Sequence, residues 1–309
     1  MRSDGEHSAL AAAFVRLGKS VTMDRGRLRG NRTGRGRAVL RPLTSPHSSR
    51  FGGFDEMTEK DKWMIDLNGK HALVTGASRG IGAAIALALA ENGADVAFTY
   101  QHAAEKAAAV AGSIEALGRR AVAIQADSAD PDAIAGAVNE AVSALGSLDI
   151  LVNSAAIGHS GTIAELDLDQ FQTLLYVNVR APVLFAKAAI PHLPSGGRII
   201  SIGSGLGERV PFPGVTAYAM SKAALTSFTR GLSRELGPSG ITVNLVQPGS
   251  VDTDANPADG PAADFQRSLT SLGRFAEPRE IANAVIFLAS SAASVITGAT
   301  LTADAGAIA

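Results

Sequence analysis

The chain has 309 residues, of which 46% are apolar and 18% charged, and a net charge of −1. A chain of this size can bury a large core, and its charge balance makes no electrostatic case for a nucleic-acid partner. It has no cysteine and its six histidines show no paired ligand spacing, which excludes disulfides and thiolate metal sites. No stretch approaches the roughly 20 uninterrupted apolar residues that a membrane span needs. The expectation is a cytoplasmic, metal-free enzyme with no membrane partner.

The two ends of the chain differ in charge. Residues 1–56 hold 11 Lys+Arg against 5 Asp+Glu, and the remainder holds 17 against 24. Between residues 25 and 37 arginine alternates with glycine, asparagine and threonine, a composition too poor in apolar side chains to offset the entropy of ordering. A disordered basic extension over 1–56 and one folded domain over 57–309 are expected, with Met57 a candidate start. A transit peptide or an RNA-binding arm are the alternatives for such a leader.

From residue 68 onward strand and helix alternate. An apolar run at 71–75 is followed by a glycine-rich turn and a helical segment to Asn92, closed by Gly93. Next come a strand at 95–100, an alanine-rich helix at 103–117, a strand at 120–126, a helix at 131–145 and a strand at 149–153. One long helical region at about 167–192 leads to a strand at 198–202. A helix at 218–236, a strand at 241–246, a helix at 278–290 and a strand at 300–302 complete the series. Apolar strands joined through helices imply an α/β fold with a doubly wound parallel sheet of about seven strands, helices on both faces, and ligand beyond the strands' carboxyl ends.

The turn Thr75-Gly76-Ala77-Ser78-Arg79-Gly80-Ile81-Gly82 follows a strand and opens a helix, the context a dinucleotide-binding loop requires. Gly76 can take positive φ, Gly80 lets the backbone approach a pyrophosphate, and Gly82 permits close packing of helix on strand. At the end of the second strand stand Thr99, Tyr100 and Gln101, with no carboxylate to repel a 2′-phosphate and with Arg79 able to pair with one. NADP(H) is therefore favoured, with NAD(H) the alternative.

Tyr218 and Lys222 lie four residues apart on a helix and share one face. A tyrosine with an ordinary pKa of about 10 needs a nearby positive charge to transfer protons near neutrality, and Lys222 is placed to supply it. Taken with the glycine turn, Asp127, Asn153-Ser154-Ala155-Ala156, Asn178, Ser204, Pro248-Gly249 and the closing Thr297-Gly298-Ala299-Thr300-Leu301-Thr302-Ala303-Asp304, the chain resembles a short-chain dehydrogenase/reductase from residue 68 onward. It leans toward the branch of 3-oxoacyl-(acyl-carrier-protein) reductases.

That resemblance implies Tyr218 as general acid or base, Ser204 on the substrate carbonyl, Lys222 on the cofactor ribose and lowering the tyrosine pKa, and Asn178 holding a relay water. It implies further cofactor contacts from Ser78, Ile81, Tyr100, Asp127, Ser128, Asn153, Ala155, Pro248, Gly249, Val251 and Thr253. For Asp127 the rival role is capping the helix that starts near Pro131. Ile157, Gly205, Leu206, Phe212 and Val251 are expected to face a mostly apolar pocket without a charge clamp, under a loop at about 250–272 able to close as a lid. The substrate is a small-molecule carbonyl or alcohol, and the helices at 167–192 and 218–236 resemble those through which family members form homotetramers or homodimers. Ala156 and Ala305 stand where the family usually has glycine, and Ser204 precedes Tyr218 by fourteen residues where thirteen is frequent. A cofactor-binding sensor without turnover is the alternative function.

Overall fold

The computed structural model describes residues 65–309; the expected extension at 1–56 lies outside them. Seven parallel strands are hydrogen-bonded in the order β3-β2-β1-β4-β5-β6-β7. They are β1 His71–Val74, β2 Asp95–Tyr100, β3 Ala121–Gln125, β4 Ile150–Asn153, β5 Arg198–Ile202, β6 Thr242–Pro248 and β7 Thr300–Ala303. Strand order runs outward in both directions from β1 and β4, so a crevice opens between their carboxyl ends.

Strand periodicity explains the two cores. Ala72, Val74, Val96, Phe98, Ile150 and Val152 point to one face, where α1 Gly80–Glu91, α2 Ala104–Ala116 and α8 Pro278–Ala289 cover them. Leu73, Ala97, Leu151, Ile199 and Val243 point to the other, under α3 Pro131–Leu145, α5 Ala181–Ala189 and α6 Thr216–Leu236. Alternate residues of one strand thus serve opposite layers, so the strands read as continuous apolar runs. Among the described residues Phe98 and Phe185 are the largest wholly buried side chains, one in each core, and truncating either to alanine should cost about 3–5 kcal/mol.

The helix expected at about 167–192 is interrupted. It comprises α4 Leu168–Leu175, a π turn Tyr176–Arg180, α5 and a 3-10 turn Ile190–His192. The extra residue of the π turn carries Asn178 inward; Arg180 stacks over the Tyr176 ring at 3.7 Å and donates to the carbonyl of Ala129. Among the described residues this stretch alone is long and apolar enough to cross a bilayer, but 44% of its most apolar window is buried inside the protein. The expected lid region holds a short helix, α7 Ala263–Ser268, whose Phe265 meets Phe212 edge to face with ring centroids 5.5 Å apart.

Candidate functional site

Loops leaving the carboxyl ends of β1 to β7 enclose a cleft of about 970 Å³. Its first wall is the glycine-rich turn. Gly76 adopts φ +66°, and a Cβ there would lie 2.7 Å from Ala155 Cα, so no larger residue lets β1 and the β4 loop approach this closely. Thr75, wholly buried, accepts hydrogen bonds from the amides of Ser154 (3.0 Å) and Ala155 (2.9 Å). Thr99 accepts from the Gly76 amide at 3.0 Å, so one threonine from each adjacent strand fixes the turn. Sequence reasoning gave neither threonine this role; a buried threonine at a strand's carboxyl end, next to a glycine turn, was the available signal.

The turn fits an anionic dinucleotide. Helix α1 starts after Arg79 with no side-chain cap and no acidic residue in its first turn, which leaves its amides free to face the cleft. A Cβ on Gly80, which has φ +57°, would occupy the gap toward Thr253, 3.6 Å from its Cγ2. Tyr100, Gln101, His102 and Ala103 border the cleft after β2, with no carboxylate among them. Asp127 does not cap α3: its Oδ1 accepts from the Ala129 amide at 2.8 Å, and Asp130, one residue before Pro131, caps the helix through the Asp132 amide.

Beyond the turn lie the proton-transfer candidates. Ser204 follows β5 by two residues, and its Oγ accepts from the Leu206 amide at 3.2 Å, which leaves its own proton free to donate into the cleft. Tyr218 enters from α6, where burial raises its pKa and the Ser204 hydroxyl works in the opposite direction. Lys222, one helical turn on, is 3% exposed, and burial brings its pKa down to about 8. Its Nζ donates to the Ile202 carbonyl at 3.0 Å and stands 5.8 Å from the Tyr218 ring centre. Burial raises the Tyr218 pKa, the opposite direction to the lowering expected from Lys222.

All but two of the residues expected from sequence line this cleft. Asn153 is buried at the end of β4, where parallel register pairs it with Ser201; its Nδ2 lies 3.4 Å from Ser201 Oγ. It braces two strands and does not reach the cleft wall. Asn178 is 1% exposed, accepting from the Ile157 amide (2.9 Å) and donating to the Ile157 carbonyl (2.9 Å) and Ser221 Oγ (3.1 Å). Ser221 donates in turn to the Tyr218 carbonyl at 2.7 Å, so Asn178 ties the β4 loop to the helix that carries Tyr218. Arg209, His159 and Gln266 also line the cleft, beside Ile157, Leu206 and Phe212. Among the described residues no group of three or more acidic, histidine or cysteine side chains is arranged to hold a metal.

A seven-stranded parallel sheet with a glycine-turn cleft and a Ser204, Tyr218 and Lys222 set defines a dinucleotide-binding oxidoreductase fold. Residues 76–307 match the family model described as "Enoyl-(Acyl carrier protein) reductase". The chain is 45% identical over 241 residues to the cyclic-di-GMP-binding biofilm dispersal mediator protein of Escherichia coli, covering 76% of this chain and 96% of that one. It is 40% identical over 242 residues to the 3-oxoacyl-[acyl-carrier-protein] reductase FabG of Staphylococcus aureus, covering 77% and 97%. A crystal structure of a short chain dehydrogenase from Burkholderia cenocepacia in complex with NADP superposes with a TM-score of 0.78 at 55% identity, covering 79% and 99%. The chain belongs to the short-chain dehydrogenase/reductase family.

Proposed function

We propose that residues 57–309 form an NADP(H)-dependent oxidoreductase that interconverts a ketone and a secondary alcohol, with a 3-oxoacyl thioester or a small ketone as substrate. The carrying observation is the convergence of Ser204, Tyr218 and Lys222 in the cleft that begins at the glycine turn. When bound, the nicotinamide supplies or accepts the hydride at its C4. Ser204 donates a hydrogen bond to the carbonyl oxygen and stabilises the charge that develops there. Tyr218, a phenol that carries its proton near neutrality, gives that proton to the oxygen in reduction and takes it back in oxidation. Lys222 presents a buried ammonium beside the phenol and toward the ribose position, favouring the phenolate as the proton leaves. Asn178 fixes the β4 loop against α6 and so keeps these groups in register.

Three observations support NADP(H). There is no carboxylate where β2 ends, Arg79 stands in the glycine turn, and a relative at 55% identity was solved with NADP. The same reading takes the protein as a cytoplasmic homotetramer or homodimer, tested by light scattering and by fractionation. A second reading, a cofactor-binding regulator with no significant turnover, is favoured by the description of the Escherichia coli relative as a cyclic-di-GMP-binding mediator. Following NADPH and NADH oxidation over a panel of ketones and 3-oxoacyl thioesters separates them. Turnover with NADPH that is lost in Tyr218→Phe supports the oxidoreductase; tight NADPH binding without turnover on any substrate supports the regulator.

A further inference from the structure

Beside Ser204 the cleft is walled by the residues that follow the closing motif, Ala307 and Ile308. Asp304 follows β7 and is buried, and its carboxylate accepts from two amides of the next turn, Gly306 (2.8 Å, Oδ1) and Ile308 (2.9 Å, Oδ2). Three outside groups hold the same turn. Arg209 Nη1, from the loop after β5, donates to the Ala307 carbonyl at 2.7 Å; Ser271 Oγ donates to the Gly306 carbonyl at 3.1 Å; and the Leu272 amide donates to the Ala305 carbonyl at 3.1 Å. Ala305 has φ +56°, the only positive value at a non-glycine among the described residues. That conformation costs about 1–2 kcal/mol and persists because these bonds over-determine the turn.

The clamp delivers one side chain to one place. A methyl group on Gly205, the residue after Ser204, would stand 3.2 Å from Ile308 Cγ2, and both Ala307 and Ile308 line the cleft. Isoleucine is β-branched and restricted at χ1, and here its own amide is pinned by Asp304, so the side chain leaves a fixed point of the backbone with few rotamers in which to yield. We propose that Ile308 is a specificity-determining residue: the fixed apolar wall that sets how large a substituent fits beside the substrate carbonyl. Asp304 and Arg209 are the positioning residues that hold it. The proposal rests on the oxidoreductase reading.

The test uses the full chain with NADPH and two ketones of different bulk, cyclohexanone and 1-decalone. Ile308→Ala should raise the 1-decalone to cyclohexanone ratio of kcat/KM about tenfold, and Ile308→Trp should lower it by a similar factor. The change should fall on KM, with NADPH affinity and Tm unaltered. Arg209→Gln should move the ratio in the direction of Ile308→Ala, and Arg209→Lys, which keeps a donor for the Ala307 carbonyl, should restore it. Ratios that stay within about twofold of the parent in both Ile308 variants would overturn the proposal. If neither ketone is turned over, the oxidoreductase reading is decided separately by the panel of ketones and 3-oxoacyl thioesters. Saturation-transfer NMR of the two ketones on NADPH-loaded protein then decides: opposite shifts in relative affinity for the two Ile308 variants support the wall, and an unchanged order rejects it.

Discussion

The two ends of the sheet handle charge in opposite ways. At the amino end Asp95 opens β2 and collects the Arg120 amide (3.0 Å), the Arg120 guanidinium (2.7 Å) and the Arg119 guanidinium (3.0 Å). Burial pushes this carboxyl up, but those donors outweigh it and hold the pKa at about 2. His71 joins through Ser147 (2.6 Å) and Arg120 (3.0 Å), and Lys70 pairs with Asp149 at 3.0 Å. At the carboxyl end the buried ammonium of Lys222 has a single carbonyl as its hydrogen-bond partner, and Tyr218 is desolvated beside it. One end satisfies its charges and stabilises the fold; the other leaves them short of partners and is poised for ligand and proton transfer.

Variants at each end can break or sharpen this contrast. The largest effect is expected for Tyr218→Phe, which removes the proton donor: reduction should fall by about 10²–10⁴-fold while NADPH affinity is retained. Steady-state kinetics with cofactor titration checks it, and a mild loss would move the proton-transfer role elsewhere. At the opposite end Asp95→Asn should cost about 2 kcal/mol at neutral pH with kcat unchanged, read by urea denaturation. The sign follows from the depressed pKa. Asp95 contributes fully above its unfolded value of 3.8, and that contribution is lost as pH falls through about 2, so parent and variant should converge in acid. A fall in kcat with Asp95→Asn would contradict the separation of the two ends.

Gly76→Ala should destabilise by about 1–3 kcal/mol and weaken NADPH binding, because the new methyl meets the Ala155 backbone and positive φ is lost to it. Thermal unfolding and cofactor titration read the two effects. With Lys222 titrating at about 8, kcat/KM for reduction should decline as pH rises through that value, and Lys222→Arg should carry the decline to higher pH. For stability the sign is opposite. Between about 8 and 10.5 the unfolded chain holds this proton and the folded chain does not, so the Lys222 contribution rises with pH in that window. The smallest effect is expected for Ala305→Gly, a gain of roughly 0.5–1 kcal/mol in thermal unfolding, where relief of the left-handed conformation exceeds the added chain entropy.

Sequence by itself determined what repeats locally. Alternation of apolar strands with helices foretold the seven strands in their places within a residue or two, because the inner strands are covered on both faces and the helices between strands bury apolar residues against them. The glycine turn and the Tyr218–Lys222 pair were legible because turn chemistry and helical spacing constrain residues close in sequence, whereas Ser204 came only with the family resemblance. Contacts that join distant segments were decided by the tertiary structure alone. Asn178 faces Ile157 and Ser221 because a π turn redirects it, and Asn153 faces Ser201 because parallel register aligns β4 with β5. Ile308 meets Gly205 across about a hundred residues only because β7 ends beside β6, whose last residue, Pro248, lies next to the loop of Ser204. The reversal of the expected Tyr218 shift has the same origin, since desolvation depends on what packs around a side chain and no spacing along the chain records it.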